Sequence, residues 1–314
     1  MKREFIFIAV TGLLCFLGFE LFFQRQPSDI QDNFRAAAIM PSKEDRFWNE
    51  MWLSLNKEAE RKHLRLSEYP YDFGNSQQNV EKELEKVILS EPDGIILCSN
   101  QYTSEKIQHL LTEAKSQGIK ILLCDSDAPP EMRDYFVGVD NAAAGRAAAR
   151  QIMNNGNFSG VLIFAESDAK VSIASQARLE AFRKEMTENG LDSMIEEVQL
   201  PETGEEHFDE IQLTLRKGDG ENKAIVSFNA SSTLVLAQCI QRLKLHDVFY
   251  LLGFSESEEA FEYADKGVID LLYVQNIQQM GQFAVDYLDE TLRGTNPDTD
   301  SAFIEMTVYQ GQED

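Results

Sequence analysis

Short apolar runs alternate with longer helix-patterned segments, and this alternation restricts the fold more than any other feature of the sequence. The runs at 36–40, 64–69, 94–98, 119–124, 136–139, 160–165, 224–228, 249–253 and 271–275 have the length of strands. Between them lie 44–62, 76–89, 104–117, 142–154, 171–189, 231–245 and 277–292, which read as helices. Strands this short and apolar, separated by helices, predict parallel sheets covered on both faces. Gly118 and the pair Asn189-Gly190 mark helix stops. In open parallel sheets, ligands bind beyond the carboxyl ends of the strands. Those positions hold polar or aromatic residues, among them Trp48, Ser99, Asp125, Asp140, Asn141, Asn229, Ser255 and Gln275. Apolar strands with polar tips point to a site at the tips.

The N-terminus sets the compartment. Lys2 and Arg3 precede an apolar run from Phe5 to Phe23 in which Glu20 is the only charge. A run of about 20 residues can cross a hydrocarbon core of roughly 30 Å. The basic start favours an inside N-terminus, which places the chain from about residue 25 outside the cytoplasm. A cleaved signal would show a small-x-small site, and Phe19 to Gln24 contains none. A lipoprotein would carry a small residue before its cysteine, whereas Leu13 and Leu14 precede Cys15. The expectation is a retained single-pass transmembrane anchor at 1–24, then a polar tether at 25–33. A poorly formed but cleaved signal is the alternative.

The remaining length is enough for two lobes of ordinary size. The net charge of −24 repels phosphate backbones and anionic lipid, so no nucleic-acid partner is expected. Cys15, Cys98, Cys124 and Cys239 fit no zinc spacing. Cys98 and Cys124 each end an apolar run and read as reduced, buried residues. A disulfide between them would need their strands to be neighbours. His63, His109, His207 and His246 are scattered, and no two stand at His-x-x-x-His spacing. No Gly-x-Ser-x-Gly elbow and no phosphate loop is present. Glu205-Glu206 and Glu258-Glu259 read as solvated helix faces. No catalytic residue, metal site or cofactor is therefore expected. The weak enzyme alternative sets Asp45 and Asp125 as two carboxylates across a cleft.

Four segments share an order with a known family. Asp140-Asn141 with Gly145 resembles an Asp-Asn-x-x-x-Gly signature, and Ser227-Phe228-Asn229 resembles a strand ending in a ligand-facing Asn. Val248 to Gly253 followed by Phe254 resembles an apolar strand ending in Gly-Phe. Gly267-Val268-Ile269, Gln275 and Met280-Gly281 match a Gly-x-Ile…Gln…Gly block. From about Arg35 to the C-terminus the chain thus resembles the ribose-type, sugar-binding periplasmic binding proteins. The lactose-repressor class shares their ligand fold, but here an apolar segment stands where a repressor carries a helix-turn-helix. The resemblance implies the type I fold, two Rossmann-like α/β lobes joined by a three-strand hinge. Residues 34–139 with 276–302 would form the N-terminal lobe, and 140–275 with 303–314 the C-terminal lobe.

The resemblance also implies a site. Asp45-Arg46-Phe47-Trp48 resembles the family's Asn-Pro-Phe-Phe segment. Phe47 and Trp48 would stack on the apolar face of a sugar while Asp45 accepts its hydroxyls. The competing reading makes both aromatics core residues. Asp125 matches a hydroxyl-binding Asp, followed by Ser126 where ribose binders carry Arg. Arg178 matches a ligand-binding Arg, with an exposed helix arginine paired to Glu180 or Glu185 as the alternative. Asn229 would grip hydroxyls in bidentate fashion, Gln275 would add a contact, and Asp140, Asn141 and Gln275 would lie in the hinge. Ser255 stands where the family often has Asp, so with Ser126 one charge of each sign is expected to be missing.

The expected function is reversible binding of a small polyhydroxylated, sugar-like ligand by an extracytoplasmic monomer held at the membrane. Its partner would be a permease for ATP-driven import or a sensor kinase. The alternatives are a sensing subunit with a non-sugar ligand, a glycoside-processing enzyme, or a structural protein with a dead cleft.

Overall fold

Two sheets of the same design account for the alternation in the sequence. The computed structural model describes residues 34–42, 46–72, 76–99, 102, 104–156, 158–165, 172–199, 205–217, 222–295 and 297–311. The apolar run 5–23, the tether 25–33 and Asp45 lie outside the described residues. Among the described residues no helix is long and apolar enough to cross a membrane.

The chain opens with β1 (Arg35–Pro41), α1 (Arg46–Lys62), β2 (Arg65–Tyr71), α2 (Ser76–Leu89), β3 (Gly94–Leu97), α3 (Glu105–Ser116), β4 (Lys120–Asp125) and β5 (Tyr135–Gly138). It continues with α4 (Asn141–Asn155), β6 (Gly160–Ala165), α5 (Ile173–Glu188), β7 (Ile195–Gln199), α6 (Glu205–Lys217), β8 (Lys223–Val226), α7 (Ala230–Leu243), β9 (Phe249–Phe254), α8 (Glu258–Asp265) and β10 (Leu271–Val274). It ends with α9 (Ile277–Leu292), β11 (Ser301–Phe303) and β12 (Thr307–Tyr309). The first sheet has the order β11-β5-β4-β3-β1-β2 and the second β12-β10-β9-β8-β6-β7. Neighbours are parallel except β12, which runs antiparallel to β10. The chain therefore crosses between sheets three times, after β5, after β10 and after β11. Phe303 pairs with Gly138 in the first sheet, so the last crossing comes after residue 303 rather than before it.

Both faces of each sheet are covered, which is why the central strands are apolar between their ends. In the first sheet Ala38, Ile96 and Leu122 face α1 and α9, while Ile39, Ile95 and Ile121 face α2 and α3. In the second, Val161, Ile163 and Val226 face α4 and α5, and Leu162, Ile225 and Leu251 face α7 and α8. The edge strand β7 reads Ile-Glu-Glu-Val-Gln, with Glu196 and Glu197 exposed, so it lacks the apolar signature and the sequence reading passed over it.

Two glycines set helix separations. A Cβ on Gly145 of α4 would lie 2.1 Å from the Arg178 carbonyl oxygen of α5, and one on Gly281 of α9 would lie 2.6 Å from Ser54 Oγ of α1. Both glycines belong to the motifs that carried the resemblance, and close backbone approach is the physical reason they are glycine. Cys98 and Cys124 each follow the last paired residues of neighbouring strands, Leu97 and Leu123, and both are free and buried. The adjoining Cys124 thiol, together with burial, pushes the Cys98 thiol well up.

Candidate ligand-binding cleft

The carboxyl ends of the strands in the two sheets face one another across a cavity of about 400 Å³. From the first sheet come Arg46, Phe47 and Trp48 at the start of α1, and Asp125 at the end of β4. The second contributes Ser172, Ser175 and Arg178 around α5, Asn229 and Ser231 at α7, and Phe254 to Ser257 after β9. Gln275 follows β10 at the second crossing.

Trp48 serves the core and the cavity together. It is 9% exposed, packs in the cluster beneath the first sheet, and still lines the cleft. Phe47 meets it edge to face, with ring centroids 4.7 Å apart. The opposition between core and ligand roles therefore dissolves for Trp48.

Asp125 reaches the cavity through a strained turn. Its φ is +74° and the Ser126 N–H donates to the Cys124 carbonyl at 3.0 Å, which closes a γ-turn of the rare positive-φ kind. The turn throws the Asp125 side chain into the cleft and carries Ser126 away from it. Ser126 instead lines an adjoining cavity of about 190 Å³ by the first crossing, which shares Asp125 with the cleft and includes Asp140 and Asn141. The expectation that Ser126 lines the main cleft is thus corrected. Its hydroxyl donates to Asp125 Oδ2 at 3.2 Å. Burial pushes the Asp125 carboxyl up, and the charges of Arg178 and the Ser126 hydroxyl pull it part of the way back.

Arg178 is 5% exposed and is not the solvent-facing helix arginine of the alternative reading. Its Nε donates to Asn141 Oδ1 at 2.8 Å and its Nη1 to the Phe228 carbonyl at 3.1 Å. The guanidinium carbon lies 4.6 Å from the Phe254 ring centroid, a cation–π contact that fixes its plane. Burial lowers its pKa, against the pull of Glu256 and Asp125. Through Asn141 it ties the first crossing to the floor of the cleft, while Asp140 caps α4 by accepting from the Ala143 N–H at 2.8 Å.

Asn229 is committed differently from expectation. Its Oδ1 accepts from the Ser232 N–H at 2.8 Å and the Ser231 hydroxyl at 2.9 Å, capping α7. Half of the bidentate grip foreseen for it is thus engaged with the helix. Ser255 lines the cavity but is wholly buried, with its Oγ 3.1 Å from Ser257 Oγ.

Sequence reasoning missed Glu256. It expected the cleft to lack an acid after β9 because residue 255 is Ser. The structure places the carboxylate one residue later, where Glu256 Oε1 accepts the Gln275 N–H at 3.2 Å. Burial raises its pKa, partly offset by Arg178 and Gln275. The signal was present as Ser-Glu after Gly253-Phe254, but a one-residue offset cannot be read without the backbone. Arg46 was also undervalued. It pairs with Glu50 at 2.7 Å on its own helix and with Glu258 of α8 at 3.0 Å, a bridge across the mouth. Glu258 is therefore more than a solvated face.

A sequence profile described as a periplasmic binding protein domain matches residues 36–296. No curated protein sequence matches the chain. Among solved structures, a putative LacI transcriptional regulator from Bacteroides fragilis superposes with a TM-score of 0.75 at 17% identity, covering 88% of this chain and 97% of its own. A solute-binding protein from Burkholderia graminis in complex with D-arabinose gives 0.76 at 18%, covering 88% and 94%. XylFII in its complex with LytSN gives 0.72 at 18%, covering 88% and 98%. At such identities the superpositions speak for the fold, two lobes of the type I design, and the profile speaks for descent. The chain belongs to the periplasmic binding protein domain family.

Proposed function

We propose that the protein is an extracytoplasmic solute-binding protein that reversibly holds a small polyhydroxylated, sugar-like ligand in the cleft. One observation carries this reading: two aromatic rings from one lobe, Phe47 and Trp48, face Arg178, Asn229, Glu256 and Gln275 from the other across one cavity. A pyranose has an apolar C–H face and a hydroxylated edge, and this arrangement offers a partner for each. Closure of the lobes would bury it. Binding rather than glycoside chemistry is the activity. The site residues are Phe47, Trp48, Asp125, Arg178, Asn229, Ser255, Glu256 and Gln275, with Asp140 and Asn141 in the hinge.

The apolar run 5–23 serves as a single-pass anchor that holds the monomer beside a membrane-embedded partner. Presentation to a sensor kinase is favoured over delivery to a permease. A nine-residue tether limits shuttling but raises the local concentration at a fixed partner, and a structural relative is recorded in complex with LytSN.

Thermal unfolding of the full chain against a panel of pentoses and hexoses tests the reading. A ligand at about 100 times its Kd adds about 2.7 kcal/mol of stability. Trp48→Ala should remove that shift, and a shift that survives the substitution removes Trp48 from the site. Silence across the whole panel defeats the sugar reading.

A further inference from the structure

Among its described residues the cleft floor carries more negative than positive charge, and this narrows the ligand class. Asp125 and Glu256 both enter the cavity, against a single buried guanidinium, Arg178. That guanidinium directs Nε and Nη1 to the Asn141 and Phe228 oxygens, not to either carboxylate. Among the described lining residues the other cation, Arg46, is half-exposed at the mouth and already paired with Glu50 and Glu258. Among the described residues neither Asp125 nor Glu256 makes a direct ion pair: they accept from the Ser126 hydroxyl and the Gln275 N–H, and one charge, that of Arg178, acts through space on both. Helix N-termini at Ser172 and Asn229 contribute about half an elementary charge each. One leading N–H of each, that of Ser175 and that of Ser232, is taken up by its own cap, Ser172 Oγ and Asn229 Oδ1.

A carboxylate taken out of water without a counter-ion is strongly disfavoured, and a ligand that brings the counter-ion removes the penalty on closing. We propose that the ligand is a polyhydroxylated amine, such as an amino sugar, whose ammonium group sits between Asp125 and Glu256 while its hydroxyls meet Arg178, Asn229 and Gln275. An ammonium supplies three donors and one positive charge at the place where both carboxylates need them. By the same physics, phosphorylated and uronic sugars are excluded. This inference rests on the reading of the cleft as a site for a polyhydroxylated ligand.

Isothermal titration of the purified full chain with matched sets tests it: D-galactose, D-galactosamine and D-galacturonate, then the glucose and mannose sets. The amine should bind on the order of tenfold or more tighter than its neutral partner, as hydrogen bonds to charged groups imply, and the uronate should not bind. Glu256→Gln should collapse the ratio of amine to neutral affinity. Asp125→Asn, checked for folding by thermal unfolding, provides a second variant with the same expectation. A neutral sugar that binds as well as its amine, or a preference untouched by both variants, overturns the inference while leaving the sugar reading intact. No binding by any member of any set overturns both.

Discussion

Asp125 shows at the scale of one residue how the site is made at the expense of the fold. Its left-handed backbone costs about 1–2 kcal/mol for a residue with a Cβ, and its carboxyl is held above the ordinary range by burial. Asp125→Gly removes both penalties and adds back under 1 kcal/mol of chain entropy. The variant should therefore unfold at higher denaturant, by about 1 kcal/mol, while ligand stabilisation disappears. A chemical-denaturation series with and without sugar reads both effects, and a destabilised variant would contradict the strain argument. The sequence announced an acid at this position through the end of an apolar strand. It could not announce the γ-turn, because a single positive φ leaves no periodic trace. For the same reason Ser126 and Glu256 exchanged their expected places: register after a strand is decided by one or two dihedral angles. Phe47, Trp48, Arg178 and Gln275 were expected at the cleft from the resemblance to the binding-protein family, and all four line the cavity.

Elements hold those residues in place through close contacts and a buried clamp. Gly145 lets α4 approach the α5 backbone at the Arg178 carbonyl. Gly145→Ala forces the helices apart, which costs about 1–3 kcal/mol and displaces Arg178 from Asn141. Ligand affinity should fall together with stability, in contrast to Asp125→Gly, and titration beside urea unfolding separates the two patterns. The second sheet has its own clamp, Asp270, whose carboxylate accepts the Leu251 N–H of β9 at 2.7 Å. Burial pushes its pKa up to about 6, against an ordinary value of 3.8. Between those values the folded chain binds the proton that the unfolded chain has released, so stability falls as pH rises from about 4 to 6. Asp270→Asn should flatten that slope by on the order of 1–3 kcal/mol. Urea unfolding at stepped pH measures it, and an unchanged slope would show that Asp270 does not contribute. Most elements were visible in the sequence because buried parallel strands are apolar throughout. The exceptions were β7, whose paired glutamates break the pattern, and the three-residue strand β11, too short to carry one.

At the scale of the molecule, two sheets of the same order are joined by three crossings and share one core cluster that runs through both lobes. Each lobe is a layered unit, and one Arg46–Glu258 pair spans the mouth of the cleft between them, its partners exposed enough to part at small cost. A ligand held by both lobes must therefore slow exchange in both. Hydrogen-exchange mass spectrometry of the full chain, with and without a binding sugar, is the most direct measurement. The account predicts protection at the start of α1 around Phe47 and Trp48, and simultaneously at Asn229 to Ser232 and Ser255 to Ser257. Protection confined to one lobe, or centred on the α1–α9 groove near Ser54 and Gln278, would contradict it.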